Sequence, residues 1–183
     1  MVPIVEPEVL MDGDHTLATC AHVTEKVLHT VFNALHQQRV ELECLLLKPS
    51  MVIPGSACPE QLTPEQVAQA TLMCLRRTVP DAVPGINFLS GGQSEATATA
   101  TLNAMNFVAQ RHPWTLSFSY GRALQAPVLR VWRGEAARAQ LAQEALHKRT
   151  RLNGAACLGK YTTVMENEWI AARVGAGDGW NPK

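Results

Sequence analysis

This 183-residue chain contains no apolar run of bilayer length, no Cys-x-x-Cys pair and no surplus of either charge. Each absence removes a class of function. Its hydrophobic stretches fall far short of the ~20 residues a helix needs to cross a membrane, so no membrane-embedded role is expected. Sixteen Lys and Arg balance sixteen Asp and Glu, which leaves no net positive field to hold nucleic acid or an anionic bilayer. The five cysteines, Cys20, Cys44, Cys58, Cys74 and Cys157, are odd in number and scattered. That spacing offers nothing suited to zinc or redox chemistry and fits a reducing compartment. The first residues lack the charged, then apolar, then small-residue order of a secretion signal. A soluble, cytoplasmic chain is expected, with a plastid or another organelle also open.

What is present is one unit repeated. The β-type run Val2–Val5 is broken by Pro7 between two glutamates. A helical pattern follows from Thr16 to Gln38, with Cys20, Val23, Val27, Val31 and Ala34 on its apolar face. His15, His22, His29 and His36 recur every seventh residue on roughly the opposite side. Successive members stand about 10.5 Å apart along a helix, too far for one metal ion to bridge, so they predict a solvated face. "ELECLLLK" reads as the second strand. "TPEQVAQATLMCLRRTV" reads as a helix capped by Thr63, with Pro64 in the first turn and Gln66 as capping-box partner.

"INFL" (86–89) and "EATATATLNAMN" form the third unit, and "TLSFS" (115–119) with "ALQAPVLRVW" the fourth. Pro127 is expected to bend or break that last helix. One more helix covers "GEAARAQLAQEALHKRTRLNG", closing at Asn153-Gly154. Beyond Tyr161 no period survives. The division expected is therefore a folded part over 1–160 and a tail over 161–183 carrying Trp169 and Trp180.

Four strand–loop–helix units in series predict an α/β fold with parallel strands and right-handed crossovers, either an open doubly wound sheet or half of an eight-stranded barrel. Both architectures gather ligands at the carboxyl ends of the strands. That rule selects Glu6 and Glu8, then Lys48, then Ser90-Gly91-Gly92, then Gly121-Arg122. A lysine leaving a hydrophobic strand either snorkels to solvent or is dehydrated in a pocket, where the neutral amine is favoured and can attack a carbonyl. Glu6 is placed to move protons for such an amine. Glu8, past Pro7, suits a structural salt bridge. The glycine loops and Arg122 offer backbone N–H groups and a planar cation to a phosphate.

"VPIVEPE", "LLKP", "RRTVP", "FLSGGQSE", "NAMN", "SFSYGRALQ" and "GKYT" stand in the order and spacing of class I fructose-bisphosphate aldolases. The resemblance covers roughly residues 2 to 163. It implies the second half of a TIM (β/α)8 barrel, βα units 5 to 8. It further implies that Lys48 is the Schiff-base lysine that condenses with the ketone of fructose 1,6-bisphosphate or dihydroxyacetone phosphate. Glu6 is then the main proton shuttle, with Glu8 shaping the charge around it. Ser90, Gly91, Gly121 and Arg122 bind the phosphate beside the reacting ketone. The implied chemistry needs no metal and no cofactor, and the implied partners are sugar and triose phosphates and further subunits, family members being commonly homotetramers.

Departures from the family pattern bear on activity. The first half of the barrel has no counterpart here, and with it go an aspartate, two lysines and the serines of the other phosphate site. "ECLLLKPS" stands where "EGTLLKPN" is usual, "SEATA" where "SEEEA" is usual, and Trp132-Arg133-Gly134-Glu135 where "WGGK" is usual. The family's terminal tyrosine is replaced by Asn181-Pro182-Lys183. Two functions are therefore expected in competition: a glycolytic and gluconeogenic aldolase, or a truncated, non-catalytic phosphate-binding or subunit-interaction fragment. A half-barrel also leaves two strand edges unpaired, which predicts association.

Overall fold

A computed structural model describes residues 1–107 and 112–167. Trp169 and Trp180 and the rest of 168–183 lie outside the described residues. The element order is β1 (Ile4–Val5), α1 (Leu17–Gln37), β2 (Leu46–Leu47), α2 (Pro64–Thr78), β3 (Gly85–Phe88), α3 (Glu95–Phe107), β4 (Thr115–Phe118), α4 (Arg122–Trp132) and α5 (Ala139–Cys157). The four strands form one parallel sheet in sequence order. Among the described residues, no further strand pairs with β1 or β4. No helix among them is long and apolar enough to cross a membrane.

Register fixes which side chains share a face. Leu47 pairs with Val5 and Ile86, and Ile86 and Phe88 pair with Leu116 and Phe118. Leu47, Ile86, Phe88 and Leu116 are fully buried with the inner faces of the helices. On the opposite face, Ile4, Leu46, Gly85 and Thr115 share one row. That row is poorly covered, since Ile4 is 51% exposed.

Helix starts follow their capping chemistry. Thr16 caps α1 by accepting from Thr19 N–H. Thr63 and Gln66 form a complete capping box on α2, with Pro64 in its first turn. Such caps are worth about 1 kcal/mol each. The diluted helix α3 buries Thr99 and Thr101 without penalty because their hydroxyls return to the carbonyls of Glu95 and Thr97, at 2.7 and 2.9 Å, which satisfies each buried donor.

Four expectations are corrected. The buried stripe of α1 is Cys20, Thr24, Leu28 and Phe32, whereas Val23 and Ala34 are exposed; the turn of the helix favours the larger apolar area of Leu28 and Phe32. "ELECLLLK" is mostly not strand, because Leu42–Cys44 close a 3-10 turn and leave only Leu46–Leu47 to pair. Pro127 does not break α4, which runs on to Trp132; it sits mid-helix, the sixth of eleven residues, and the helix continues with one backbone bond forgone. α5 does not close at Asn153-Gly154 but continues to Cys157. Asn153 is buried against the Thr99 hydroxyl at 2.6 Å, and the stop falls at Gly159, φ +65°, where Lys160 N–H bonds back to the Ala155 carbonyl.

Of the segment assigned to the tail, residues 161–167 are docked. Tyr161 is buried and its N–H donates to Asn103 Oδ1 at 2.8 Å. Glu166 takes two hydrogen bonds from Arg149 Nη1, at 2.7 and 2.8 Å. The motifs "NAMN" and "GKYT" thus meet each other: Asn103 holds Tyr161, and Gly159 lies against Asn106 and Phe107 closely enough that a Cβ would sit 3.2 Å from their backbone.

Candidate active site

The hydrogen-bond ladder runs past the strand ends. Lys48 N–H donates to the Val5 carbonyl at 2.7 Å, Leu89 N–H to Pro49 at 3.1 Å and Ser119 N–H to Phe88 at 2.9 Å. Glu6, Lys48, Ser90 and Gly121 therefore leave the sheet along one carboxyl edge. Alternation along β1 and β2 sends Glu6 and Lys48 to the same open face as Ile4 and Leu46.

There the two meet. Lys48 Nζ donates to Glu6 Oε1 at 3.1 Å, with 20% of the lysine side chain and 51% of the glutamate exposed. An amine and a carboxylate in direct contact can exchange a proton without an intervening water. The salt bridge expected of Glu8 is thus made by Glu6. Glu8 is exposed and has no ion pair among the described residues. Pro7 and the bond from Val9 N–H to Ser50 Oγ, 3.2 Å, carry the chain away from Lys48 at that point.

The β3 loop turns on two successive left-handed glycines, Gly91 at φ +55° and Gly92 at φ +78°, closed by Gln93 N–H to the Ser90 carbonyl at 3.0 Å. Only glycine adopts that pair of conformations without strain. Ser90 is buried. The first turn of α3 is partly used by its own cap, since Ser94 Oγ accepts from Thr97 N–H at 3.1 Å. The β4 loop differs. Gly121 has φ −86° and open space where a Cβ would stand, so its missing side chain leaves room beside the sheet edge. No side chain caps the first turn of α4, and Arg122 at its start is exposed. The structure thus joins Lys48 to Glu6 by contact and sets Ser90, Gly91, Gly121 and Arg122 along the same edge, on neighbouring loops.

Several residues that the sequence reading passed over hold these loops. Tyr120, inside "SYGR", is buried and donates its hydroxyl to the Ala98 carbonyl at 2.9 Å. Burial, and secondarily the neighbouring Cys157, push its phenol upward, so it stays a neutral donor. Gln93 Nε2 reaches Met51 Sδ at 3.2 Å and the Ser90 carbonyl at 3.3 Å. Met11 lies so close over Gly92 that a Cβ there would fall 1.8 Å from its sulfur. The loops after β1 and β2 are stitched by Gly55, Ser56 and Ala57 N–H groups donating to the carbonyls of His15, Met11 and Gly13. No local pattern announces these long-range ties. The buried serine within "KPS" and the polar tyrosine within an apolar strand end were the available hints.

His22, His29 and His36 lie on the exposed side of α1. Among the described residues, no cluster of three or more His, Cys, Asp or Glu side chains is placed to hold a metal ion.

Comparison with known proteins places this geometry. The family model described as "Glycolytic: Fructose-bisphosphate aldolase class-I" matches residues 1–174. The chain is 56% identical over 173 residues to fructose-bisphosphate aldolase C of Pan troglodytes, covering 94% of this chain and 48% of that protein. It is 57% identical, with the same coverage, to fructose-bisphosphate aldolase B of Gallus gallus. Among solved structures, it resembles fructose-bisphosphate aldolase of Plasmodium falciparum, a co-crystal with TRAP and a small-molecule inhibitor, at a TM-score of 0.85 and 51% identity. That likeness covers 88% of this chain and 46% of the other. The chain therefore spans about half the length of the curated relatives it matches.

Proposed function

Given that the chain belongs to the class I fructose-bisphosphate aldolase family, we propose that it supplies the Schiff-base half of an aldolase site, cleaving fructose 1,6-bisphosphate reversibly in glycolysis and gluconeogenesis. The observation that carries this reading is the 3.1 Å contact of Lys48 with Glu6 at the carboxyl edge of the sheet. The Lys48 amine hands a proton to Glu6 and attacks the C2 ketone. The carbinolamine hydroxyl takes a proton back from Glu6 and leaves as water, giving the iminium. Scission of C3–C4 then sends the bonding electrons into the iminium as an enamine, while the C4 hydroxyl gives its proton to the regenerated Glu6 carboxylate, to be returned at C3, and glyceraldehyde 3-phosphate departs. Protonation at C3 and hydrolysis release dihydroxyacetone phosphate and restore the amine.

Ser90, Gly91, Gly121 and Arg122 hold the phosphate next to the ketone, where backbone N–H groups of the turn and the guanidinium meet a dianion. Glu8 tunes the local charge from the rim. Residues 1–160 make up the catalytic part and 161–183 the tail. The substrates are sugar and triose phosphates, and the working assembly is an oligomer. The five cysteines are free, which fits the cytoplasm.

A second reading has its own support. The chain covers 48% of its relatives' length, and the described strands build a single four-stranded sheet beside Lys48. A non-catalytic fragment that binds phosphate or another subunit accounts for both facts. Incubation with dihydroxyacetone phosphate and borohydride separates the two. A mass increment on the peptide carrying Lys48 is expected; a folded protein left unlabelled leaves only the second reading.

A further inference from the structure

We propose that Ser50 is the positioning residue that holds Glu6 against Lys48. Its part in the chemistry rests on the aldolase reading; its part in the geometry does not. The loop after β2 is the fixed partner. Behind Lys48, Ser50, Met51 and Val52 are all buried, Val52 N–H donates to Thr71 Oγ1 of α2 at 3.0 Å, and the Pro49 carbonyl accepts from Leu89 N–H beyond β3 at 3.1 Å. Thr71 is itself set by its bond to the Val67 carbonyl, 2.7 Å. Lys48 therefore leaves a backbone that is held from two sides.

Glu6 is tied at two points to that same loop. On one side, the Val5 carbonyl accepts from Lys48 N–H at 2.7 Å. On the other, Val9 N–H donates to Ser50 Oγ at 3.2 Å. Val9 follows Glu6 by three residues, a reach of about 10 Å at most. Pro7 stiffens that span by fixing its own φ and by restricting Glu6 to extended conformations. A displacement of Val9 is therefore passed on to Glu6. The ties to Lys48 and Ser50 bracket the carboxylate and set it 3.1 Å from the amine.

Serine at this position has a physical cause. Ser50 is 4% exposed and adjoins Met51 and Val52, at 1% and 0%, a setting in which a hydroxyl costs free energy unless it is bonded. Alanine would fit there without that cost. The bond the hydroxyl makes is the one to Val9 N–H, which crosses from the Lys48 loop to the Glu6 loop. Ser50 thus acts through Glu6, and its effect is the fraction of time the carboxylate spends at the amine.

Two readouts on the full chain test this role. A carbodiimide joins a carboxylate to an adjacent amine: the activated Glu6 acyl carbon forms an amide with Lys48 Nζ, and the reagent leaves as its urea, having taken up the elements of water. The linked Lys48 and Glu6 peptides, read by mass spectrometry, report the contact with no substrate present. Ser50→Ala is expected to lower their yield about 5-fold, the shift that loss of one hydrogen bond allows, and Ser50→Thr, which keeps the hydroxyl, to restore it. Borohydride trapping of dihydroxyacetone phosphate on Lys48 is expected to slow about 10-fold in Ser50→Ala, with no further slowing when Ser50→Ala is added to Glu6→Gln. Circular dichroism checks that each variant is folded, and Ser50→Cys, a weaker acceptor of similar size, takes the place of an alanine variant that is not. A parent that cross-links but takes no label overturns the aldolase reading and leaves the cross-link yields to decide the role of Ser50. Unchanged yield in Ser50→Ala, no recovery in Ser50→Thr, or additive slowing in the double variant overturns that role.

Discussion

Lys48 and Glu6 are 42 residues apart in sequence and 3.1 Å apart in space, on adjacent parallel strands and the same face of the sheet. The contact makes Glu6 the first proton acceptor available to the amine. Glu6→Gln keeps the shape and a hydrogen-bond acceptor but removes the base. Trapping of dihydroxyacetone phosphate on Lys48 by borohydride is expected to slow by about 100-fold or more in that variant, within the range for loss of general acid–base catalysis. Lys48→Arg is expected to abolish the label. Equal labelling rates in Glu6→Gln and the parent would remove Glu6 from the mechanism.

Gly92 and Gly121 look equivalent as letters and are not equivalent in space. At Gly92 a side chain meets both a left-handed backbone, φ +78°, and Met11 sulfur at 1.8 Å. Gly92→Ala should cost about 1–3 kcal/mol in denaturant unfolding, and Met11→Ala in the same chain should recover only the steric part. Gly121→Ala, with φ −86° and open space, should leave stability within about 0.5 kcal/mol. Similar losses at the two positions would contradict the loop geometry.

The parallel array was legible because its signals are local: the capping pair Thr63 and Gln66, apolar runs of strand length, and glycines where the chain turns. The candidate edge followed from the rule that parallel sheets present ligand sites at their carboxyl ends. What the sequence concealed depends on contacts distant along the chain. α1 packs against α2, and the face it buries carries Leu28 and Phe32 rather than the valines within the helix. Asn153 resembles a helix stop until Thr99, 54 residues away, uses it. Tyr120 reads as part of a motif, whereas its hydroxyl is what ties that motif to α3.

That tie gives a third prediction. Tyr120 donates to Ala98 O from a buried position, and it immediately precedes Gly121 and Arg122. Tyr120→Phe keeps the ring and removes a hydrogen bond to a carbonyl that α3 already uses, so stability should fall by about 0.5–1.5 kcal/mol. Triose phosphate affinity, read by calorimetry, should weaken as well, because the loop carrying Arg122 loses its anchor. Arg122→Ala should weaken the same binding without lowering stability. If Arg122→Ala leaves phosphate affinity unchanged, the cradle has been placed on the wrong loop.

Arg149 is 3% exposed and fastens the segment 161–167 through Glu166, with Lys148 Nζ adding a contact at 3.3 Å. Burial alone raises the Glu166 carboxyl, but the Arg149 hydrogen bonds and the charges of Arg149 and Lys148 outweigh it and hold the group below its ordinary 4.5. A carboxylate depressed in the folded state stabilises above its unfolded value and loses that contribution as pH falls through the folded one. Tyr161, which donates to Glu166 Oε1 at 3.1 Å, is pushed up to about 12 by burial and by the Glu166 charge; its contribution is complete below 10 and lost as pH rises through 12. The protection of the amides of 161–167, taken relative to their intrinsic exchange rate at each pH, should therefore be greatest across the neutral range and fall below pH 4.5 and again above pH 10. Arg149→Ala leaves the Glu166 carboxylate without its main partner and should cost about 3–5 kcal/mol, whereas Arg149→Ala with Glu166→Ala should cost less. Protection that stays flat from about pH 3 to about pH 11, roughly one unit past the ordinary carboxylate and phenol values, or an additive double variant, would show that the pair does not hold this segment.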